Sequence, residues 1–106
     1  MWLSTGVLLT VGQPVTVTAT GTWTDAGVTL TAAGHPTATV TGTNCPLSGA
    51  PLLALIGRVG ATGTPFLIGP NKTFTPTSSG VLYVVPQDNW YTTWDNAGSL
   101  SVTVCR

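Results

Sequence analysis

Val15-Thr16-Val17-Thr18-Ala19-Thr20 alternates aliphatic and hydroxyl-bearing side chains without a break. A period of two sends one set to a buried face and the other to solvent. β-branched residues suit the pleat, so this segment reads as a half-buried strand. Leu100-Ser101-Val102-Thr103-Val104 has the same pattern, and Thr37-Ala38-Thr39-Val40-Thr41 has it more weakly. Pro51-Leu52-Leu53-Ala54-Leu55-Ile56-Gly57-Arg58-Val59 and Gly80-Val81-Leu82-Tyr83-Val84-Val85 are continuously apolar and read as central strands covered on both faces. Shorter candidates run over Val7–Val11, Ala26–Thr31, Pro65–Ile68 and Lys72–Thr75. Turn signals separate them: Gly12-Gln13-Pro14, Gly34-His35-Pro36, Gly60-Ala61-Thr62-Gly63, Gly69-Pro70-Asn71 and Ser78-Ser79-Gly80. No window carries a helical period with caps. Strands recurring every 8–12 residues or so between Gly/Pro turns predict an all-β fold, a small jelly-roll-like β-sandwich of two antiparallel sheets. Residues 1–106 are expected to form one domain, and the spacing shows no internal repeat.

Composition narrows the function. Charged residues are 6% of the 106, far under the usual figure of about 25%, and the net charge is zero. Arg58, Lys72 and Arg106 are scattered and make no basic patch, which argues against nucleic acid. No stretch approaches the roughly 20 apolar residues of a membrane span. A neutral, hydroxyl-rich surface is prone to self-association, so a homo-oligomer is expected. The start, Met1-Trp2-Leu3-Ser4-Thr5-Gly6, lacks the basic and apolar regions of a signal peptide. The expectation is a mature or excised domain, or one exported by another route, working outside the cell. Cys45 and Cys105 admit two readings, a disulfide or two free thiols. The disulfide, which would pin the last strand and close a loop for about 4 kcal/mol, is preferred. Neither cysteine has neighbours at zinc-like spacing.

The three carboxylates are Asp25, Asp88 and Asp95, and there is no Glu. Asp25 lies in Thr24-Asp25-Ala26-Gly27. Asp88 and Asp95 bracket Asn89-Trp90-Tyr91-Thr92-Thr93-Trp94, with Asn96-Ala97-Gly98 following. An arch with an acid at each end, the amide carbonyl of Asn96 and the backbone carbonyl of Thr92 offers oxygen donors to a hard cation. Ca²⁺ takes about six to eight oxygens, so the loop of Asp25 is the natural source of more. Two carboxylates would leave the ion near neutrality, and vacant positions would suit sugar hydroxyls. The plain alternative is that these Asp and Asn residues only shape turns. Trp90, Tyr91 and Trp94 are rings suited to a sugar face, or to anchoring their own loop. His35 is the single histidine. With no nucleophile motif in view, it suits hydrogen bonding to a ligand better than catalysis.

Gly21-Thr22-Trp23, His35-Pro36, the run Gly49–Gly57, and above all Asp88…Thr92…Asp95-Asn96-Ala97-Gly98-Ser99-Leu100-Ser101-Val102 resemble the calcium-dependent galactose-binding lectins of the LecA type. The resemblance spans almost the whole chain. Its most specific part is the loop from Asp88 into the last strand. It implies a jelly-roll sandwich that binds galactose through one Ca²⁺. Asp88 and Asn96 would hold the ion by side chain, Thr92 and Asp25 by backbone carbonyl, and Asp95 at a position where the family often has Asn. The sugar would complete the coordination through O3 and O4, and His35 would meet its O6. Asp88, Asn89, Trp90, Thr92, Trp94, Asp95 and Asn96, with His35, would thus form the sugar site. The chain departs at Ala38, where the family has a glutamine, and in its more aromatic calcium loop. The expected function is therefore a calcium-dependent lectin or carbohydrate-binding module for galactose-type glycans, with no enzymatic activity. The alternatives are a structural or adhesive module whose Ca²⁺ only stiffens a loop and, less favoured, a two-carboxylate glycosidase.

Overall fold

A computed structural model describes residues 2–25, 28–43, 45–88 and 96–106, with the backbone alone at 25, 28 and 96–99. Ten strands are formed among the described residues, and there is no helix. They are β1 (Leu3–Leu9), β2 (Val15–Asp25), β3 (Val28–Leu30), β4 (Thr39–Val40), β5 (Ala50–Pro51), β6 (Leu55–Val59), β7 (Phe66–Leu67), β8 (Asn71–Phe74), β9 (Gly80–Pro86) and β10 (Asn96–Cys105). Every pairing is antiparallel. One sheet has the order β1-β9-β6-β7. In the other, β10 lies along one edge of β2, and β8 and β3 share the opposite edge. A two-stranded ribbon of β4 and β5 stands apart. The fold is thus an all-β sandwich of antiparallel sheets, as the alternation in the sequence predicts.

The two alternating segments line the interior. Val15, Val17 and Ala19 of β2 meet Leu55 of β6, Leu82 and Val84 of β9 and Leu9 of β1, while Leu100, Val102 and Val104 of β10 close the layer. The intervening Thr residues stay on the outer face, where Thr16 and Thr73 share a 2.9 Å hydrogen bond between β2 and β8. Strands β6 and β9 are covered on both faces, as their continuous apolar character predicts. Their register pairs Ile56 with Val85 on the face away from the main core. Ala50 joins these two in a second cluster, with Trp2 and Leu47 packed against it. The Arg58 guanidinium lies 4.4 Å from the Trp2 ring centroid and 5.6 Å from that of Tyr83, so the N-terminal ring closes this outer layer over a cation.

Several boundaries differ from the sequence reading. The apolar run from Pro51 to Val59 is not one strand. It breaks at a turn closed by a 3.1 Å bond from Ala54 N–H to the Pro51 carbonyl, and Leu53 there has a φ of 62°. The first strand lies earlier than expected: it begins at Leu3, and the Thr10–Gln13 turn, with Gly12 at a φ of 83°, ends it before Val11. The weak alternation around Thr39 yields only two strand residues. The other short candidates appear as β3, β7 and β8, each within a residue or two of the expected span; residues 26 and 27 lie outside the described residues.

The expected Cys45–Cys105 disulfide is not formed, and both thiols are free. Cys45 is buried in the loop after β4, where its thiol donates to the Gly42 carbonyl at 3.6 Å and the Val40 carbonyl at 3.8 Å. That loop is tied to Gln87, at the end of the sandwich where Trp23 lies. Cys105 is exposed and pairs with Thr16 in the other sheet, seven residues along β2 from Trp23, or about 23 Å of strand. A disulfide needs Cα atoms within about 7 Å, so their places at opposite ends of the sandwich keep the two sulfurs apart.

Leu82 is fully buried between the sheets. Leu82→Ala is expected to lower stability by about 2–5 kcal/mol, measured by urea unfolding, because the tightly flanked site cannot collapse onto the missing atoms.

Candidate functional site

A sandwich leaves its loops at two ends, and one end gathers the described segments at Asp25, His35, Asp88 and Asn96. β2 stops at Asp25 where β10 starts at Asn96, and these two residues are direct register partners. Paired Cα atoms lie about 4.5–5.5 Å apart, so the backbone of the first-loop acid and that of the last-loop amide are neighbours. β9 delivers Gln87 and Asp88 to the same end, opposite the start of β6 at Leu55.

The turn over Pro51–Ala54 binds these segments together. Leu53 N–H donates to the Gln87 carbonyl at 2.7 Å, and Gln87 N–H donates to the Ala54 carbonyl at 2.8 Å. The Leu53 carbonyl in turn accepts the indole N–H of Trp23 at 2.9 Å. On the other flank, His35 N–H donates to the Leu52 carbonyl at 2.7 Å, and Leu52 N–H donates to the Ala38 carbonyl at 2.9 Å. Gly34 is required beside this turn. It has a φ of 80°, and a Cβ there would stand 2.7 Å from Ala54 N and 2.8 Å from Leu52 O. Segments 23–25, 34–38 and 87–88 therefore converge on one strained turn. Leu53 is the only described non-glycine residue with a positive φ, a conformation that costs of order 1–3 kcal/mol and that gathers at functional sites. Its fully buried side chain helps offset that cost.

Gln87 is the second support. It is wholly buried. Its Oε1 accepts Leu47 N–H at 3.0 Å, and its Nε2 donates to the carbonyls of Val40, at 3.2 Å, and Leu47. Both faces of the amide are thus used, and the residue before Asp88 cannot rotate freely. Asp88 follows with only 4% of its surface exposed.

His35 is half-buried, and its ring orientation is set locally. Nδ1 accepts the N–H of Thr37 at 3.1 Å and that of Ala38 at 2.9 Å. Two donors aimed at Nδ1 put the ring proton of the neutral form on Nε2, which leaves an outward N–H donor. Ala38 thus spends its backbone N–H on orienting His35.

Of the remaining sequence-predicted ligands, Asn89, Trp90, Thr92, Trp94 and Asp95 lie outside the described residues, as do the side chains of Asp25 and Asn96. Asp88 is accordingly the one acidic side chain described. Leu53, Gly34 and Gln87 were not read from the sequence as site supports. The close spacing of Gly34 and His35 was a usable signal. Nothing in the apolar run marked Leu53 as a turn residue.

A cavity of about 550 Å³ lies at the other end of the sandwich, between the loops 60–64 and 75–79, over the tilted Phe66–Phe74 pair. It includes none of the residues above. Its Thr and Ser residues are all exposed, and no buried polar side chain lines it, so size alone does not make it the better candidate. No protein-family model matches the chain, and no curated protein matches it significantly.

Gln87→Leu keeps the volume but strands Leu47 N–H, while the Val40 and Leu47 carbonyls keep the N–H groups of Gly49 and Ala50. We expect a loss of about 1–3 kcal/mol, read by chemical unfolding, the cost of one buried group left without a partner. Gly34→Ala is expected to destabilise by more than about 1 kcal/mol, because it adds a clash to an unfavourable φ.

Proposed function

We propose that the chain is a calcium-dependent carbohydrate-binding module of the lectin kind, selective for terminal galactose or related sugars and without catalytic activity. One observation carries the reading: the segments bearing Asp25, His35, Asp88 and Asn96 meet at a single end of the sandwich, held by a strained turn. The resemblance to LecA-type lectins assigns these positions to one ligand site.

The donor chemistry fits a hard cation. Asp88 is a buried carboxylate at a loop end, and the amide of Asn96 starts the strand paired with Asp25. With Asp95 and the Thr92 carbonyl from the intervening loop, these residues would hold Ca²⁺. Bound there, the ion would supply open coordination positions for neutral hydroxyls. His35 would donate from Nε2 to a further hydroxyl, in keeping with its fixed tautomer. Trp90 and Trp94 would offer ring faces to the sugar or its aglycone. The proposal places this module outside the cell, where calcium and glycans are both available.

Thermal melting with chelator, with Ca²⁺, and with Ca²⁺ plus galactose tests the reading. Stability should rise with calcium and rise again with galactose only when calcium is present. Each ligand at a hundredfold excess over its Kd adds about 2.7 kcal/mol. A calcium effect without a galactose effect would indicate a purely structural ion, and hydrolysis of a chromogenic galactoside would indicate a glycosidase. Asp88→Asn and Asp88→Ala should abolish calcium and sugar binding together in isothermal titration. Trp90→Ala or Trp94→Ala should weaken sugar binding by roughly 1 kcal/mol or more and leave calcium affinity near wild type.

A further inference from the structure

The edges of the two sheets are treated very unequally. An edge strand exposes unpaired N–H and C=O groups, and proteins blunt such edges by shortness, bulges, charge or proline. β7 is two residues long, and β3 is three. β8 is four residues long and carries Lys72. β1 has a shift of register between Ser4 and Leu8, around Gly6 with a φ of 72°. β10 has none of these devices. It runs for ten residues, Asn96–Cys105, with ten successive partners in β2 and no shift. It contains no charged residue and no proline. Among the described residues it pairs with β2 on one side and with no strand on the other. The nearest cation, Arg106, is turned towards the first sheet, where its Nη1 donates to the Leu8 carbonyl at 3.1 Å.

The geometry points to β10 as a dimerisation edge, paired antiparallel with β10 of a second copy across a two-fold axis, so that two three-strand-wide sheets become one continuous sheet. A second copy suits this edge for two reasons. The pairing is isologous, so every inter-strand hydrogen bond is made twice. The exposed outer-face residues Ser101 and Thr103 are neutral, as are their β2 partners Thr20 and Thr18, so no like charges face each other across the axis.

The arrangement has a consequence that rests on the proposed sugar site. Asn96 begins the strand at the candidate-site end, so an antiparallel pair sets the two sites at opposite ends of the joint ribbon. They would lie about 26–33 Å apart, eight or ten residue steps of strand because directly opposed residues share a face, and face away from each other. A dimer of this form would bridge two glycan-bearing surfaces.

Sedimentation velocity over two decades of protein concentration tests the edge directly and does not depend on sugar binding. The wild-type chain should sediment at twice its monomer mass of 10.8 kDa. Ser101→Lys/Thr103→Lys, which crowds four cations around the axis, should return it to the monomer mass with an unchanged circular dichroism spectrum. Leu67→Lys, on the exposed face of the first sheet, should leave the dimer intact. A monomeric wild type overturns the inference. So does a dimer that survives the double substitution, or one that Leu67→Lys dissociates in its place. If the double variant does not fold, hydrogen exchange of the wild type decides: amides of residues 100–104 should slow as concentration rises, and exchange independent of concentration overturns the inference.

Discussion

The arrangement at the candidate-site end depends on one backbone turn. Leu53 adopts a left-handed conformation that a glycine would adopt without strain, yet its side chain is fully buried. Its N–H and carbonyl are spent on two different elements, the end of β9 and the indole of β2. Its neighbours Leu52 and Ala54 reach the His35 loop and return to Gln87. The turn costs free energy where it stands, and the hydrogen bonds and buried leucine around it over-determine it. This is the local logic of a preorganised site: strain is confined to one residue, and rigid strands on either side hold it.

Gln87 extends that logic by one residue. A buried amide with every contact satisfied behaves as a cross-brace between the loop after β4, the second core cluster and the strand that delivers Asp88. Because the brace is polar, it is specific in direction, and a hydrophobic replacement would fill the space without aiming the chain. The outer cluster of Ile56, Val85 and Ala50 therefore serves the site as well as stability, since it seats the loop that Gln87 holds.

Much of the fold was legible in the sequence, for a physical reason. Val15–Thr20 and Leu100–Val104 show period-two alternation because one face of each strand is buried and the other wet, and β2 and β10 appear where that pattern lies. The run from Pro51 to Val59 misled because burial on both faces erases periodicity. A continuous apolar stretch looks the same whether it is extended throughout or folded back at Leu53, and leucine is not a turn residue by composition. The cysteines misled differently, since a cysteine pair says nothing about which sheet or end each thiol occupies. At the site, the acids and His35 announced themselves by scarcity, and among the described residues the backbone at Asp25, His35 and Asp88 lies at one end of the sandwich. The supports did not, because Gly34, Leu53 and Gln87 act through backbone geometry and buried hydrogen bonds that no residue pattern encodes.

The central claim is that this end of the sandwich holds a cation which in turn holds a sugar. Diffraction from crystals grown with Ca²⁺ and galactose, with anomalous differences used to locate the metal, tests it most directly. The account requires one calcium peak bonded to Asp88 and Asn96, with two adjacent hydroxyls of the hexose completing its coordination and His35 Nε2 within hydrogen-bond reach of a third. A calcium peak without sugar in its coordination sphere, or a sugar seated in the cavity at the opposite end, would contradict it.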